Sequence, residues 1–255
     1  MDLGLKDKRI LVAGASRGLG AAIARAVAAE GARVAVVARE SNELAKVAAE
    51  MRGVAVPADL ATSDGPGEAA ARAIESLGGL DGLVVNSGGP PTGTFEQLDE
   101  ETWRRAIDGT LLAAIRLIRA ALPALREGRD PAIVIVLSSS IREPVPGIVT
   151  SNVLRPGLNG LIKTLVGEIA PIRINGIAPG RIDTARIRSL DSSRAKELGV
   201  EVEEVQRTNL ARIPLARYGE AAEVGRVGAF LLSTAASYVN GVVVGVDGGM
   251  IRSLP

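Results

Sequence analysis

The sequence predicts an α/β class fold, a doubly wound Rossmann arrangement in which helices cover both faces of a parallel sheet. Two observations predict it. Short apolar or β-branched runs alternate along the chain with alanine-rich amphipathic stretches, and the runs are continuously apolar, as strands buried on both faces are. A glycine-rich loop, Gly14 to Gly20, follows the first run and opens a helical pattern. With 255 residues, 47% hydrophobic and 23% charged, the chain suits a single large domain over 1–255.

Seven strand-like runs set the order: Arg9 to Ala13, Arg33 to Val37, Gly53 to Ala55, Gly82 to Asn86, Ala132 to Leu137, Arg173 to Ala178 and Val242 to Val246. The first leads into Gly14-Ala15-Ser16-Arg17-Gly18-Leu19-Gly20 and then a helix over Ala21 to Ala29. Glycines at this spacing let the backbone approach a pyrophosphate, whose charge meets free N–H groups and the helix dipole. A dinucleotide is therefore expected at Gly14, Ser16, Arg17, Gly18, Leu19 and Gly20. After the sixth run, Ile187 to Pro214 is polar and helix-favouring, with Ser192 to Glu204 at its centre, and reads as a flap over a substrate pocket.

The second run ends Val37-Ala38-Arg39-Glu40, with no carboxylate at 38 to hold a ribose 2′-hydroxyl. Arg39 and Arg17 instead present two guanidiniums to a 2′-phosphate, so NADP(H) is favoured over NAD(H). Asp59 and Leu60 lie just past the third run, where Asp59 can accept from an adenine amine. Asn86, Ser87, Gly88 and Gly89 follow the fourth and can line the adenosine ribose. Both segments sit at the carboxyl ends of strands, where such sheets bind ligands.

Composition excludes several classes. The chain has no cysteine and no histidine, which removes disulfides, ordinary zinc sites and Ser-His machinery, so no metal is expected. A formal net charge of +1 without a long basic run gives no support to nucleic-acid or membrane-surface binding. No secretory h-region and no run of about 18 apolar residues is found, and a cytoplasmic protein with a small-molecule substrate is expected. The basic residues are five lysines and 25 arginines.

Gly14 to Gly20, Ala58-Asp59, Asn86-Ser87-Gly88, Ser138, Asn175, Pro179-Gly180-Arg181-Ile182-Asp183-Thr184 and Val246-Asp247-Gly248-Gly249 occur in this order. Over nearly its whole length the chain resembles the short-chain dehydrogenase/reductase family. The resemblance implies a seven-stranded parallel sheet, a nicotinamide cofactor and a homo-oligomer, tetramer or dimer. It implies too that Pro179, Gly180, Ile182 and Thr184 lie along the nicotinamide, and that the Asp247 turn helps close subunit contacts.

The family's reaction uses a Tyr-x-x-x-Lys pair about a dozen residues beyond a serine, with an asparagine on an earlier helix. Anchored on Gly157 to Lys163, the alignment puts Ser138 at the serine, Ser151 at the tyrosine, Arg155 at the lysine and Thr110 at the asparagine. One position of four is kept. A serine hydroxyl cannot replace a phenol whose pKa near 10 is tunable, and an arginine stays protonated. Arg155 can still hold the nicotinamide ribose. Tyr218 and Tyr238 are the only tyrosines, and Tyr238 reads as packing.

Pro156 is expected to start or kink the helix at Arg155, so that Ser151 and Arg155 need not enter the site. On that ground Ser151→Tyr with Arg155→Lys is not expected to restore ketone reduction. Ser138, Ser139 and Ser140 read either as carbonyl-polarising groups or as turn caps. Glu143, Arg142, Asp183 and Arg181 are further polar candidates, with Glu143 a candidate acid. Two functions stand: an atypical NADP(H)-dependent oxidoreductase acting on a small carbonyl, alcohol or activated alkene, with Ser138, water or a carboxyl group handling the proton, or a non-catalytic NADP(H)-binding sensor or silent subunit.

Overall fold

The computed structural model describes residues 2–253 and contains one sheet of seven parallel strands. They are β1 Arg9–Ala13, β2 Arg33–Ala38, β3 Val54–Pro57, β4 Gly82–Val85, β5 Ala132–Val136, β6 Arg173–Pro179 and β9 Val243–Val246. Their order across the sheet is β3-β2-β1-β4-β5-β6-β9. It reverses between β1 and β4, and the glycine loop leaves β1 at that crevice. β1 matches its expected bounds, five strands differ by one residue at one end, and β3 shifts at both ends: Pro57 pairs with Ala38 on an edge strand, where proline's missing N–H is tolerated.

Around the sheet run α1 Gly18–Ala29, α2 Asn42–Glu50, α3 Gly65–Leu77, α4 Glu100–Ala106, a π-helical segment Ile107–Leu112, α5 Ala113–Arg126, α6 Val149–Glu168 and α9 Ala221–Leu232. Between β6 and α9 lie the short pair β7 Ile182–Asp183 and β8 Gly219–Glu220, with α7 Ala185–Leu198 and α8 Val202–Leu210 between them. Leu11, Leu83, Ile133 and Ile135 face one core with α3 and α5, whereas Ile10, Val12, Val36 and Val134 face another with α1 and α9. Burying each such side chain contributes about 1.5–3 kcal/mol, and having both faces covered explains why the strands read as unbroken apolar runs.

α9 packs closely on α1. A Cβ on Gly225 would stand 2.6 Å from the Ala22 carbonyl oxygen, so only glycine lets the two helices approach this closely. Among the described residues no helix is long and apolar enough to cross a membrane.

Candidate active site

The loop after β1 is held from two sides. Ala15 N–H donates to the Val37 carbonyl at 3.0 Å, and the Asn86 amide donates to the carbonyls of Ala13 and Gly14 at 3.3 and 3.0 Å. Asn86 therefore spends its amide nitrogen on shaping the loop. Gly14 takes φ +59°, and a Cβ there would meet the Asn86 carbonyl oxygen at 2.3 Å. Gly18 takes φ +61° with nothing within 4 Å of its Cβ position, so its backbone faces open space.

Helix α1 begins at Gly18 with Arg17 as N-cap, no side-chain cap bond and no acidic residue in its first turn. Its first N–H groups have no side-chain cap, and an uncapped helix start of this kind suits an anion. Ser16 and Leu19 are half-buried beside the turn and Gly20 is buried. Past β2, Arg39 is exposed, as is Arg17. Glu43, at the start of α2, is held below the usual carboxylate range by its own backbone N–H and Ser41, with a smaller contribution from Arg17. Asp59 is exposed and accepts from Ala61 N–H at 3.0 Å, while Leu60 packs against the core. Gly88 is exposed with open space where a Cβ would be.

The second cluster stands where β5 ends. Ser138 caps a short 3₁₀ turn, its Oγ accepting from Ser140 N–H at 3.1 Å, which leaves its own proton free to donate. Ser151 is buried, its Oγ 3.3 Å from Ser140 Oγ. Arg155 is 7% exposed and donates from Nη1 to the carbonyls of Val136 and Leu137 at 2.6 and 2.9 Å. Thr110 is buried in the π-helical segment, an irregularity that in helices commonly marks a functional position.

Pro156 does not break the helix, contrary to the expectation from sequence. α6 runs through it, because proline lies on the exposed face and the first turns are fastened elsewhere. Thr150 Oγ1 donates to the Pro91 carbonyl at 2.6 Å, and the Asn152 amide exchanges two bonds with the Val145 backbone at 2.9 and 3.1 Å. Ser151 and Arg155 thus both turn toward the end of β5, and geometry no longer stands against the Ser151→Tyr, Arg155→Lys variant.

A family profile described as Enoyl-(Acyl carrier protein) reductase matches residues 14–251. The chain belongs to the short-chain dehydrogenase/reductase family. It is 32% identical to human dehydrogenase/reductase SDR family member 4 over 253 residues, 96% of this chain and 88% of that protein. To the 3-oxoacyl-acyl-carrier-protein reductase of Thermotoga maritima it is 32% identical over 254 residues, 97% and 99% of the two chains. L-sorbose reductase from Gluconobacter frateurii, solved with NADPH and L-sorbose, superposes with a TM-score of 0.93 at 30% identity over 100% of both chains. A single-residue variant of actinorhodin polyketide ketoreductase, solved with NADPH, gives 0.90 at 28% identity, covering 96% and 97%.

The segment after β6 is held by its own contacts. Ile182 is buried in the core and Thr184 caps α7, accepting from Ile187 N–H at 3.4 Å. Pro179 ends β6, and Gly180 N–H donates to the Val246 carbonyl at 2.9 Å. Asn175 is wholly buried, its amide bonded to Val239 and Val242 at 2.9 and 3.1 Å. The other polar candidates are engaged outside the serine cluster: Asp183 pairs with Arg188, and Glu143 lies 3.9 Å from Arg212 with its side chain 40% exposed. Arg142 is exposed. Tyr238 is fully exposed, not packed, since the bend before β9 turns it outward.

Two features escaped the sequence. Residues 187–214 form two helices tied down by Asp191, which is 1% exposed and accepts from Arg181 at 2.7 Å, Tyr218 at 2.8 Å and Asn209 at 3.1 Å. Burial and the hydrogen bond to Asp191 raise the Tyr218 phenol above its ordinary pKa, which excludes it as a ready acid. The second is Arg186, which crosses from α7 to the Pro90 carbonyl at 2.6 Å. Among 25 arginines nothing local singles it out.

Proposed function

We propose that this family member is an NADP(H)-dependent oxidoreductase acting on a small carbonyl compound, with a non-standard arrangement for the proton. The open, uncapped start of α1 at Gly18, flanked by the exposed guanidiniums of Arg17 and Arg39, is the observation that carries this reading. Gly14 to Gly20 would hold the diphosphate, Arg17 and Arg39 the 2′-phosphate, Asp59, Leu60 and Gly88 the adenosine, and Thr184 with the Pro179-Gly180 backbone the nicotinamide. NADPH-bound reductases among the superposed structures support the same assignment.

When bound, NADPH supplies hydride to the carbonyl carbon. The Ser138 hydroxyl is free to donate to the carbonyl oxygen, which polarises the bond. Arg155 is pinned to the two residues just before Ser138 and keeps a positive charge beside the reacting centre. Burial, and secondarily Arg186, lower the Arg155 pKa to about 10, so the group is still a cation at neutral pH. Neither group releases a proton readily, and the proton reaches the oxygen from water. Ser151 holds Ser140 and with it the turn that Ser138 caps, and Thr110 backs α6 from the π-helical segment. The two pinned helices over 187–214 would cover the substrate.

Titration with NADPH and NADH, following nicotinamide emission, tests the assignment. Arg39→Ala is expected to weaken NADPH binding by about 10- to 100-fold, the range for one charge-assisted contact, and to leave NADH unchanged. Equal losses would sink the 2′-phosphate role. NADPH binding without consumption across a carbonyl panel would favour the sensor reading.

A further inference from the structure

Arg155 and Arg186 converge on the same end of the sheet from α6 and α7, and among the described residues neither has a carboxylate partner. Arg155 engages only Nη1, which leaves Nε and Nη2 without a protein acceptor. Arg186 makes one bond, Nη2 to the Pro90 carbonyl, and lies against Gly89, where a Cβ would sit 2.7 Å from its Cζ. The next carbonyl along, Pro91, is where Thr150 fastens α6, one residue before Ser151. Burial lowers the pKa of both guanidiniums, and the Arg186 charge lowers that of Arg155 further.

Of the other inward-reaching arginines, Arg181 is matched by Asp191 at 2.7 Å and Arg9 by Asp81 at 2.8 Å, while Arg173, equally buried, uses both Nη atoms on the carbonyls of Leu231, Val239 and Ser233 and lies at the amino end of β6, away from this pair. Two like charges gathered at a site without an acid are mutually repulsive and poorly solvated, a state that a bound anion relieves. The cofactor's phosphates have their own donors at the glycine loop and at Arg17 and Arg39.

We infer that Arg155 and Arg186 form a receptor for a carboxylate on the substrate, so that the natural substrates are small oxo-acids. This rests on the reductase reading and names its substrate class. A planar carboxylate matches the guanidinium fork, and the single Arg186 contact to a loop carbonyl is one that an entering carboxylate replaces.

The test compares short oxo-acids, acetoacetate and 2-oxobutanoate, with their methyl esters, on wild type, Arg186→Gln, Arg186→Lys and, as a control outside the pair, Arg188→Gln. Melting is followed without cofactor, NADPH affinity by nicotinamide emission, and KM in turnover. The acids are expected to raise the melting temperature of wild type and of Arg188→Gln, and the esters to leave it unchanged. In Arg186→Gln the acid-induced shift is lost and KM for the acids rises about 10-fold or more, while NADPH affinity stays within about twofold; Arg186→Lys retains part of the effect. Equal responses to acid and ester, or no shift in wild type, would overturn the receptor. So would a parallel loss of NADPH affinity in Arg186→Gln, which would make the anion a cofactor phosphate. Failure of wild type to bind NADPH would remove the reductase reading, while the cofactor-free melts still report on the arginine pair.

Discussion

Replacing Gly18 with alanine is expected to reduce NADPH affinity by about 100-fold or more while leaving the protein folded, because the added methyl meets no protein atom but enters the space a diphosphate must share. The φ of +61° adds strain of about 1–2 kcal/mol, a small fraction of the stability of a chain this size. Gly14→Ala makes the informative contrast. Its methyl would lie 2.3 Å from the Asn86 carbonyl oxygen and 2.7 Å from the Asn86 amide nitrogen, both on the strand end that shapes the loop. That variant should lose thermal stability and cofactor affinity together. Measuring melting temperature and NADPH titration on both variants separates ligand clash from loop collapse. If Gly18→Ala binds NADPH as wild type does, the loop does not approach a phosphate and the functional reading loses its main support.

Most of this frame is legible in the sequence because it follows from local rules. Unbroken apolar runs mark strands buried on both faces, and Gly14 and Gly18 mark a turn only glycine makes comfortably. What was misread depends on contacts between distant segments. Pro156 reads as a helix start, yet the bonds from Thr150 to Pro91, from Asn152 to Val145 and from Arg155 to the end of β5 define α6 before the proline arrives. Residues 187–214 read as helix-favouring and are helical, but nothing local indicates that Asp191 is buried among Arg181, Asn209 and Tyr218. Asn86 reads as a ribose neighbour from its place at a strand end, and the bonds from its amide to the Ala13 and Gly14 carbonyls, which shape the glycine loop, emerge only in three dimensions. Arg186 acquires meaning only once Pro90, 96 residues earlier in the chain, is placed beside it.

The amino ends of the strands offer a variant that acts on the fold alone. Asp81 precedes β4 and is wholly buried, where it accepts from Arg9 N–H at 2.8 Å, Arg9 Nε at 2.9 Å, Arg9 Nη2 at 2.8 Å and Arg129 N–H at 2.7 Å. One carboxylate thus joins the start of β1 to the approach to β5. Burial alone would raise its pKa, but the Arg9 side chain and the two backbone N–H groups overcome that and hold it at about 2. Asp81→Ala leaves buried donors unpaired and should cost about 3–5 kcal/mol, lowering the melting temperature by roughly 6–20 °C for a chain of this length. Because the folded pKa lies below the unfolded value of about 3.9, the stabilisation is fully present above pH 4 and is lost as the pH falls from about 4 toward 2. Melting temperatures of wild type should therefore drop through that window, whereas Asp81→Asn, already weaker at pH 7, should show a shallower drop. A melting temperature for Asp81→Asn within about 1 °C of wild type at pH 7 would show that the carboxylate contributes no net stability, despite its four hydrogen bonds. NADPH affinity of the folded variant should stay unchanged, since Asp81 lies at the amino ends of the strands and the glycine loop, Ser138 and Arg155 all lie at the carboxyl ends. An unchanged affinity at reduced stability places the binding energy in the carboxyl-end loops and α1, with the basal ion pair serving only to hold the sheet beneath them.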